Sequence, residues 1–277
     1  MAADTLRVVP TLVPPADILP DPITAQRWAA RNIAADEALL VGLGDGSAGP
    51  TFRTYVNPPC VVLGLSRRIA RDVHRDTCAA LGVPVLRRAS GGGTVYHDAG
   101  TLNLAWVLPW QLLPPGCGPK SLTDGTTDFF LEILANALGT LGFAAIKTRI
   151  SDLSIGDPPR KVAGSGQARK AAGVLHHVSL LVAVDIDRMA QVLPNPPDRP
   201  DRDHRDFVTS LADAGFKALG GLPGGRQLVA ETVAMATQNA LGLNAMETTL
   251  DSGATLCRQV EALLVEKYLR EEWIARL

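Results

Sequence analysis

The sequence predicts an α/β fold, one main domain in which a sheet is flanked by helices. Three observations carry that prediction. The chain has 277 residues, enough to bury a sizeable core in one large domain. Short runs of apolar and β-branched residues, such as Cys60 to Gly64, Leu102 to Leu108 and Val174 to Val184, read as buried strands. Between them lie segments with apolar residues at helical spacing, among them the one holding Phe130, Leu131, Leu134, Leu138 and Leu141.

Residues 1–22 carry Pro10, Pro14, Pro15, Pro20 and Pro22, which suits an extended arm ahead of a domain spanning residues 23–277. Thr24 is a fair N-cap for a helix to about Val41, with Trp28, Ala35, Leu39 and Leu40 on its buried stripe. Gly42 to Gly49 reads as a loop, Thr51 to Val56 as a strand, and Ala70 to Leu81 as a helix stopped by Gly82 and Pro84. Past Leu108, Pro109 to Pro119 is a loop, and Ser121 with Asp124 resembles a capping box that opens a helix ended by Gly142. Ala144 to Arg149 and Asp152 to Ile155 read as short strands, and Asp185 caps a helix to Leu193. Asn195 to Asp206, rich in proline and charge, reads as a mobile surface loop able to order over a ligand. Two amphipathic helices, Gln227 to Leu241 and Ser252 to Leu269, fill the C-terminal stretch of about residues 224–277.

Bulk charge narrows the function. Lys+Arg 27 against Asp+Glu 28 leaves a net charge of −1, so nothing global draws the chain to nucleic acid or to an anionic membrane. Local basic clusters must therefore carry any anion binding. Cys60, Cys78, Cys117 and Cys257 lack Cys-x-x-Cys spacing, which argues against a zinc site and a disulfide framework and suits the cytoplasm. No apolar run approaches the ~20 residues of a membrane span, and the N-terminus lacks a secretory pattern.

The densest signal is Arg87-Arg88-Ala89-Ser90-Gly91-Gly92-Gly93-Thr94-Val95-Tyr96-His97-Asp98. Strand-forming residues flank the glycines, so the glycines bend the chain between two strands. Without a Cβ they let a ligand lie against the backbone, where successive N–H groups form a nest for phosphate oxygens. This stretch, continuing through Gly100, Leu102 and Asn103, resembles the signature of lipoate-protein ligases, a family within the biotin/lipoate ligase catalytic-domain type. A second segment lies at the expected distance: Lys161-Val162-Ala163-Gly164-Ser165-Gly166-Gln167, followed by His176-His177 and Ser179-Leu180-Leu181, is similar to that family's lysine and histidine motifs.

The resemblance implies a mixed sheet flanked by helices and an enzyme that uses ATP and Mg²⁺ to convert lipoate, or octanoate, to the acyl-adenylate. The acyl group then passes to a lysine of a lipoyl carrier protein, either of the glycine cleavage H protein type or a dehydrogenase E2 lipoyl domain. It implies Lys161 as the catalytic cation. It places Arg88, Ser90, Gly92, Gly93, Thr94, Val95, Tyr96, Lys161, Gly164 and Ser165 around ATP and lipoyl-AMP, and Gly93, Val95, His97, Lys161 and His177 around lipoate. Asp152 is the implied magnesium ligand, carboxylate plus phosphate being what that ion favours. Arg87 is the weaker phosphate candidate, expected in a structural ion pair. His97 either donates to Asp98 and braces the glycine loop or moves protons. His176 and His177 lack a third ligand at metal spacing, so a structural role beside the site is preferred. Val178 stands where the family has glycine, which narrows the acyl tunnel or pushes the strand outward. The resemblance further implies a form without the C-terminal accessory domain, that domain being a separate chain in two-component relatives.

Two rival readings differ in chemistry. A transferase of the same fold would pass octanoyl or lipoyl groups through a cysteine thioester, with Cys117 as the candidate thiol. A non-catalytic carrier-binding module would need neither Lys161 nor Asp152.

Overall fold

A computed structural model describes residues 5–16, 21–195, 200–217, 221–250 and 253–277. Its strands are β1 (Thr5–Leu12), β2 (Thr51–Tyr55), β3 (Cys60–Leu63), β4 (Val85–Arg87), β5 (Val95–His97), β6 (Thr101–Pro109), β7 (Ile146–Arg149), β8 (Asp152–Ile155), β9 (Arg160–Arg169), β10 (Gly173–Leu181) and β11 (Asn244–Glu247). The helices are α1 (Pro22–Asp45), α2 (Ile69–Asp72), α3 (Arg75–Ala80), α4 (Thr123–Thr140), α5 (Ile186–Val192), α6 (His204–Phe207), α7 (Gly221–Leu241), α8 (Ala254–Leu263) and α9 (Glu271–Ile274). A π-helical turn, Leu264–Tyr268, extends α8.

Among the described residues one eight-stranded sheet runs β11-β1-β2-β6-β10-β9-β8-β7, and a three-stranded sheet runs β4-β3-β5. The large sheet is mixed: β1 pairs in parallel with β11 and β2, and the pairs from β2 to β7 are antiparallel. Its two faces carry separate cores. Leu102, Leu104, Trp106 and Leu108 of β6 alternate onto the α4 and α7 side, while Ala105 and Val107 pack with Ala34, Ala38 and Leu39 of α1. The C-terminal residues Leu256, Val260, Leu264 and Tyr268 close the α1 side.

Several boundaries differ from the sequence reading for local reasons. The proline-rich start is extended, but over Thr5–Leu12 it is a strand between β11 and β2. Helix α1 begins earlier, with Pro22 at its first turn and Asp21 accepting from the N–H groups of Ile23 and Thr24. It also runs through Gly42, where a Cβ would sit 2.7 Å from that of Ala48, and ends at Gly46 with φ 79°. The expected single helix after β3 is split, because Val73 is extended and buried and the N–H of His74 goes to the carbonyl of Val192.

The capping box at Ser121 does not form. Leu122 is the N-cap of α4 without a side-chain bond, and Ser121 Oγ is held at 2.8 Å by the N–H and the carbonyl of Gly118. Residues 196–199 of the charged loop, Pro20 and Ser252 lie outside the described residues. Of the rest of that loop, Asp203 caps α6 in a capping box with Asp206.

Candidate active site

The glycine stretch connects β4 to β5, the two outer strands of the small sheet, and so must cross the end of the central strand β3. Contact there is direct: a Cβ on Gly64 would lie 2.3 Å from the carbonyl oxygen of Gly92. Gly92 has φ 98°, a region that favours glycine. Main-chain bonds pin the crossing, with Leu65 N to Ser90 O at 2.8 Å and Gly91 N to Gln167 O at 3.1 Å on β9.

Arg88 holds this loop from beneath. Its guanidinium is buried and donates to Ser90 Oγ at 3.0 Å, to Val62 O at 3.2 Å, and to the carbonyls of Gly91 and Gly93 at 2.8 Å each. Burial draws its pKa down to about 10. Arg88 therefore braces the glycine loop while also lining the cavity. The cations at the cavity wall are Arg88 itself with Arg67, Arg71, Arg149 and Lys161. Arg67 donates from Nε to Gly92 O at 3.1 Å, joining the turn after β3 to the glycine loop. Arg71 and Arg149 carry no local sequence pattern, and only the fold brings them here.

Lys161 reaches the cavity through a bulge. Across β8 and β9, Leu153 pairs with Ala163 and Ser154 with Lys161, which leaves Val162 as an extra residue. Val162 and Ala163 both enter the core, and Lys161 comes to the same face as Gly164. The amine lies over that glycine, since a Cβ on Gly164 would be 2.9 Å from Nζ. Asp152 Oδ1 stands 2.9 Å from Nζ, at the start of β8.

Lys161 and Asp152 line one cavity of about 310 Å³ together with Gly93, Thr94, Val95, Tyr96 and His97. Apolar walls come from Ile33, Val62, Leu175, Leu181, Met189 and Phe207. The cavity also reaches a buried polar network. Asp36 Oδ1 pairs with Arg53 Nη1 at 2.5 Å, and its Oδ2 accepts from Tyr55 Oη at 3.0 Å. Burial pushes the Asp36 carboxyl up, but the Arg53 guanidinium and the nearby His177 outweigh it and leave it below the usual range. Ser90 Oγ, accepting from Arg88, has its own proton free for His177 Nε2 at 2.6 Å. That assignment puts the His177 N–H on Nδ1, 3.6 Å from Asp36 Oδ2, in a ring that burial keeps neutral.

His97 belongs to a second chain of bonds and does not meet Asp98. Asn57 Nδ2 donates to His97 Nδ1 at 3.1 Å, and His97 Nε2 donates to Ser179 Oγ at 2.8 Å, which donates to Asn103 Oδ1 at 3.1 Å. Burial lowers its pKa to about 3, so it is a fixed neutral donor. Asp98 instead accepts the N–H groups of Gly100 and Asp185, each at 2.8 Å. Arg87 likewise forms no ion pair among the described residues: its Nε and Nη1 donate to carbonyls, and its Nη2 is buried without a hydrogen-bond partner.

His176 points to the opposite face, stacked on Phe130 at 4.6 Å, with neither ring nitrogen hydrogen-bonded. Val178 belongs to the core under α4 and α7, pairs with Ser165 across the ladder and also contributes to the cavity lining. Ser165 Oγ is buried without a hydrogen-bond partner. Among the described residues no cluster of three His, Cys, Asp or Glu is placed to hold a metal. None of the four cysteines lines the cavity. Cys60 and Cys78 are buried, and burial raises the Cys78 thiol to about 11.

The glycine loop and Lys161 thus border one partly apolar cavity, an arrangement that suits an acyl chain ending in a charged phosphoryl group. The chain is similar to known proteins in sequence and in fold. The model for the lipoyl protein ligase A/B catalytic domain matches residues 29–220. A putative lipoate-protein ligase A of Aeropyrum pernix is 32% identical over 58% of this chain and 57% of its own length. An octanoyltransferase LipM of Kyrpidia tusciae is 30% identical over 90% of this chain and 96% of its own. In fold, a chain from a bi-partite lipoate protein ligase and its E2 lipoyl domain from Thermoplasma acidophilum superposes with TM-score 0.79 at 23% identity, over 98% of this chain and 96% of that one.

Proposed function

This chain belongs to the family of lipoyl protein ligase A/B catalytic domains, and from that membership we propose that it activates lipoate, or octanoate, with ATP and acylates a lysine of a lipoyl carrier domain. The observation that carries the proposal is the shared cavity, with Lys161 and the glycine loop both on its wall and no thiol in its lining. In the first step a carboxylate oxygen of the acid attacks the α-phosphorus of ATP and pyrophosphate leaves. In the second a neutral lysine amine of the carrier attacks the acyl carbon and AMP leaves.

Each task has a group on this chain. The acyl chain lies along Ile33, Val62, Leu175 and Leu181, and the carboxylate comes to Lys161. Lys161 and the N–H groups near Gly93 stabilise the charge that grows on the phosphoryl oxygens. Asp152 orients Lys161 at 2.9 Å. One carboxylate beside substrate phosphates also fits magnesium, which enters with the nucleotide and adds positive charge there, and Asp152 would hold it. Arg67 and Arg71 stand where the departing pyrophosphate needs cations.

One observation favours a second reading: the octanoyltransferase of K. tusciae aligns over nine-tenths of this chain. Such a reaction needs a nucleophile for the thioester. Cys117, the thiol suggested for it, sits half-buried among residues packed on the α4 core, away from the cavity lining. Purified chain with lipoate and MgATP should release pyrophosphate and, with an apo lipoyl carrier, add one acyl group by intact mass. Acyl transfer between carriers without ATP, abolished in Cys117→Ala, would overturn the ligase reading.

A further inference from the structure

Arg87 has no part in the chemistry proposed above, yet it is fully buried at the end of β4, where the glycine motif begins. Its Nη1 donates to three carbonyls of the turn after β3: Gly64 O at 3.0 Å, Leu65 O at 3.1 Å and Arg67 O at 2.6 Å. Its Nε donates at 2.9 Å to Ile274 O, 187 residues further along the chain. The contact is returned: Trp273 Nε1 donates to the carbonyl of Arg87 at 2.8 Å. One guanidinium therefore ties the C-terminal helix to the 64–67 turn, and Arg67 of that turn bonds the glycine loop. A planar fork with five donors can span helix and turn, whereas a point charge cannot.

The helix is itself anchored to the cavity wall. The Trp273 ring centroid lies 4.2 Å from Lys267 Nζ, and that amine pairs with Glu37 at 2.7 Å. Tyr268, half of an edge-on pair with Trp273, donates to the same carboxylate at 2.6 Å. Glu37 and Tyr268 both line the cavity. From Ile274 the path runs through Arg87 to the 64–67 turn, and from Arg67 to Gly92.

We propose that Trp273 and Arg87 are positioning residues for the glycine loop, so that the C-terminal helix α9 sets the geometry of the phosphate nest. They touch no reacting atom. They act by denying the 64–67 turn and the 91–94 loop the freedom to drift apart, which is the freedom a nest of short main-chain donors can least tolerate. The proposal rests on the reading of the cavity as a nucleotide site only for its effect on turnover.

Trp273→Phe is the cleanest test, since it keeps the ring beside Lys267 and Tyr268 and removes the single N–H to Arg87. Hydrogen exchange of the unliganded chain should quicken about fivefold at Leu65 to Arg67 and Gly91 to Thr94, as loss of one hydrogen bond implies, with β10 amides unchanged. Arg87→Lys should show the same pattern more strongly. In turnover, KM for ATP should rise severalfold with kcat held within about twofold. Exchange at both loops within twofold of wild type, with only α9 fraying, would overturn the proposal. The exchange readout needs no substrate, so a chain that never uses ATP would defeat the adenylation reading and leave this one standing or falling on its own.

Discussion

Lys161 owes its position to two neighbours of opposite character, a glycine that gives it room and a carboxylate that aims it. Gly164 lies under the amine, and Asp152 holds it at 2.9 Å with about a third of the lysine side chain exposed. Replacing Lys161 by Met should therefore cost little stability but lower pyrophosphate release about 10²- to 10³-fold, as loss of a transition-state cation does. A thermal midpoint read beside the turnover assay separates the two effects. The buried histidines speak to pH. His97 and His176 are both held to about 3 by burial, against 6.5 in an open chain. Between those values the unfolded chain binds protons that the folded chain refuses, so stability falls as pH drops from about 6.5 to about 3. Each contributes about 1.4 kcal/mol per pH unit inside that window. His176→Phe, which keeps the stack on Phe130, should remove half of the two-histidine slope in urea unfolding between pH 6 and pH 4. An unchanged slope would mean that His176 is protonated in the folded chain.

At the scale of elements, the bulge in β9 and the crossing over β3 build the site. The bulge turns Lys161 onto the cavity face, and the crossing brings Gly92 onto Gly64. Gly64→Ala would drive a methyl to 2.3 Å from a main-chain oxygen, which no side-chain rotation relieves. The loop must lift, so adenylate formation should fall at least about tenfold, the price of misplacing donors. Most of the strands from β2 to β10, the three long helices α1, α4 and α7 and the glycine bend were legible because period and glycine placement are local properties, whereas β1 and β11 were not. The bulge was not, because an extra residue in a ladder is defined only against its partner strand. The same holds for the capping box at Ser121: the hydroxyl that sequence assigns to the helix end is taken by Gly118.

Across the whole molecule the sheet divides two cores, and β6 with β10 forms its spine. Trp106 is fully buried on the α4 and α7 side and donates to Thr237 Oγ1 at 2.9 Å. Trp106→Ala should cost about 3–5 kcal/mol, read as a lower urea midpoint. Its position is remote from the nest, so the folded fraction should keep the wild-type KM for ATP. Among the described residues no helix is long and apolar enough to cross a membrane.

What the sequence by itself determined is the chemistry on offer. Arg87 to Asp98 and Lys161 to Gln167 name a phosphate nest and a cation, and their glycines are local enough to be read without coordinates. Only the tertiary structure decided which side chains face the cavity. It turned Arg88 inward as a brace and set His97 against Asn57 instead of Asp98. It also brought Arg67, Arg71, Arg149 and Trp273 in from distant segments. The physical reason is that a buried donor is directed by whichever acceptors packing leaves beside it, and those acceptors come from parts of the chain that spacing along the sequence does not relate.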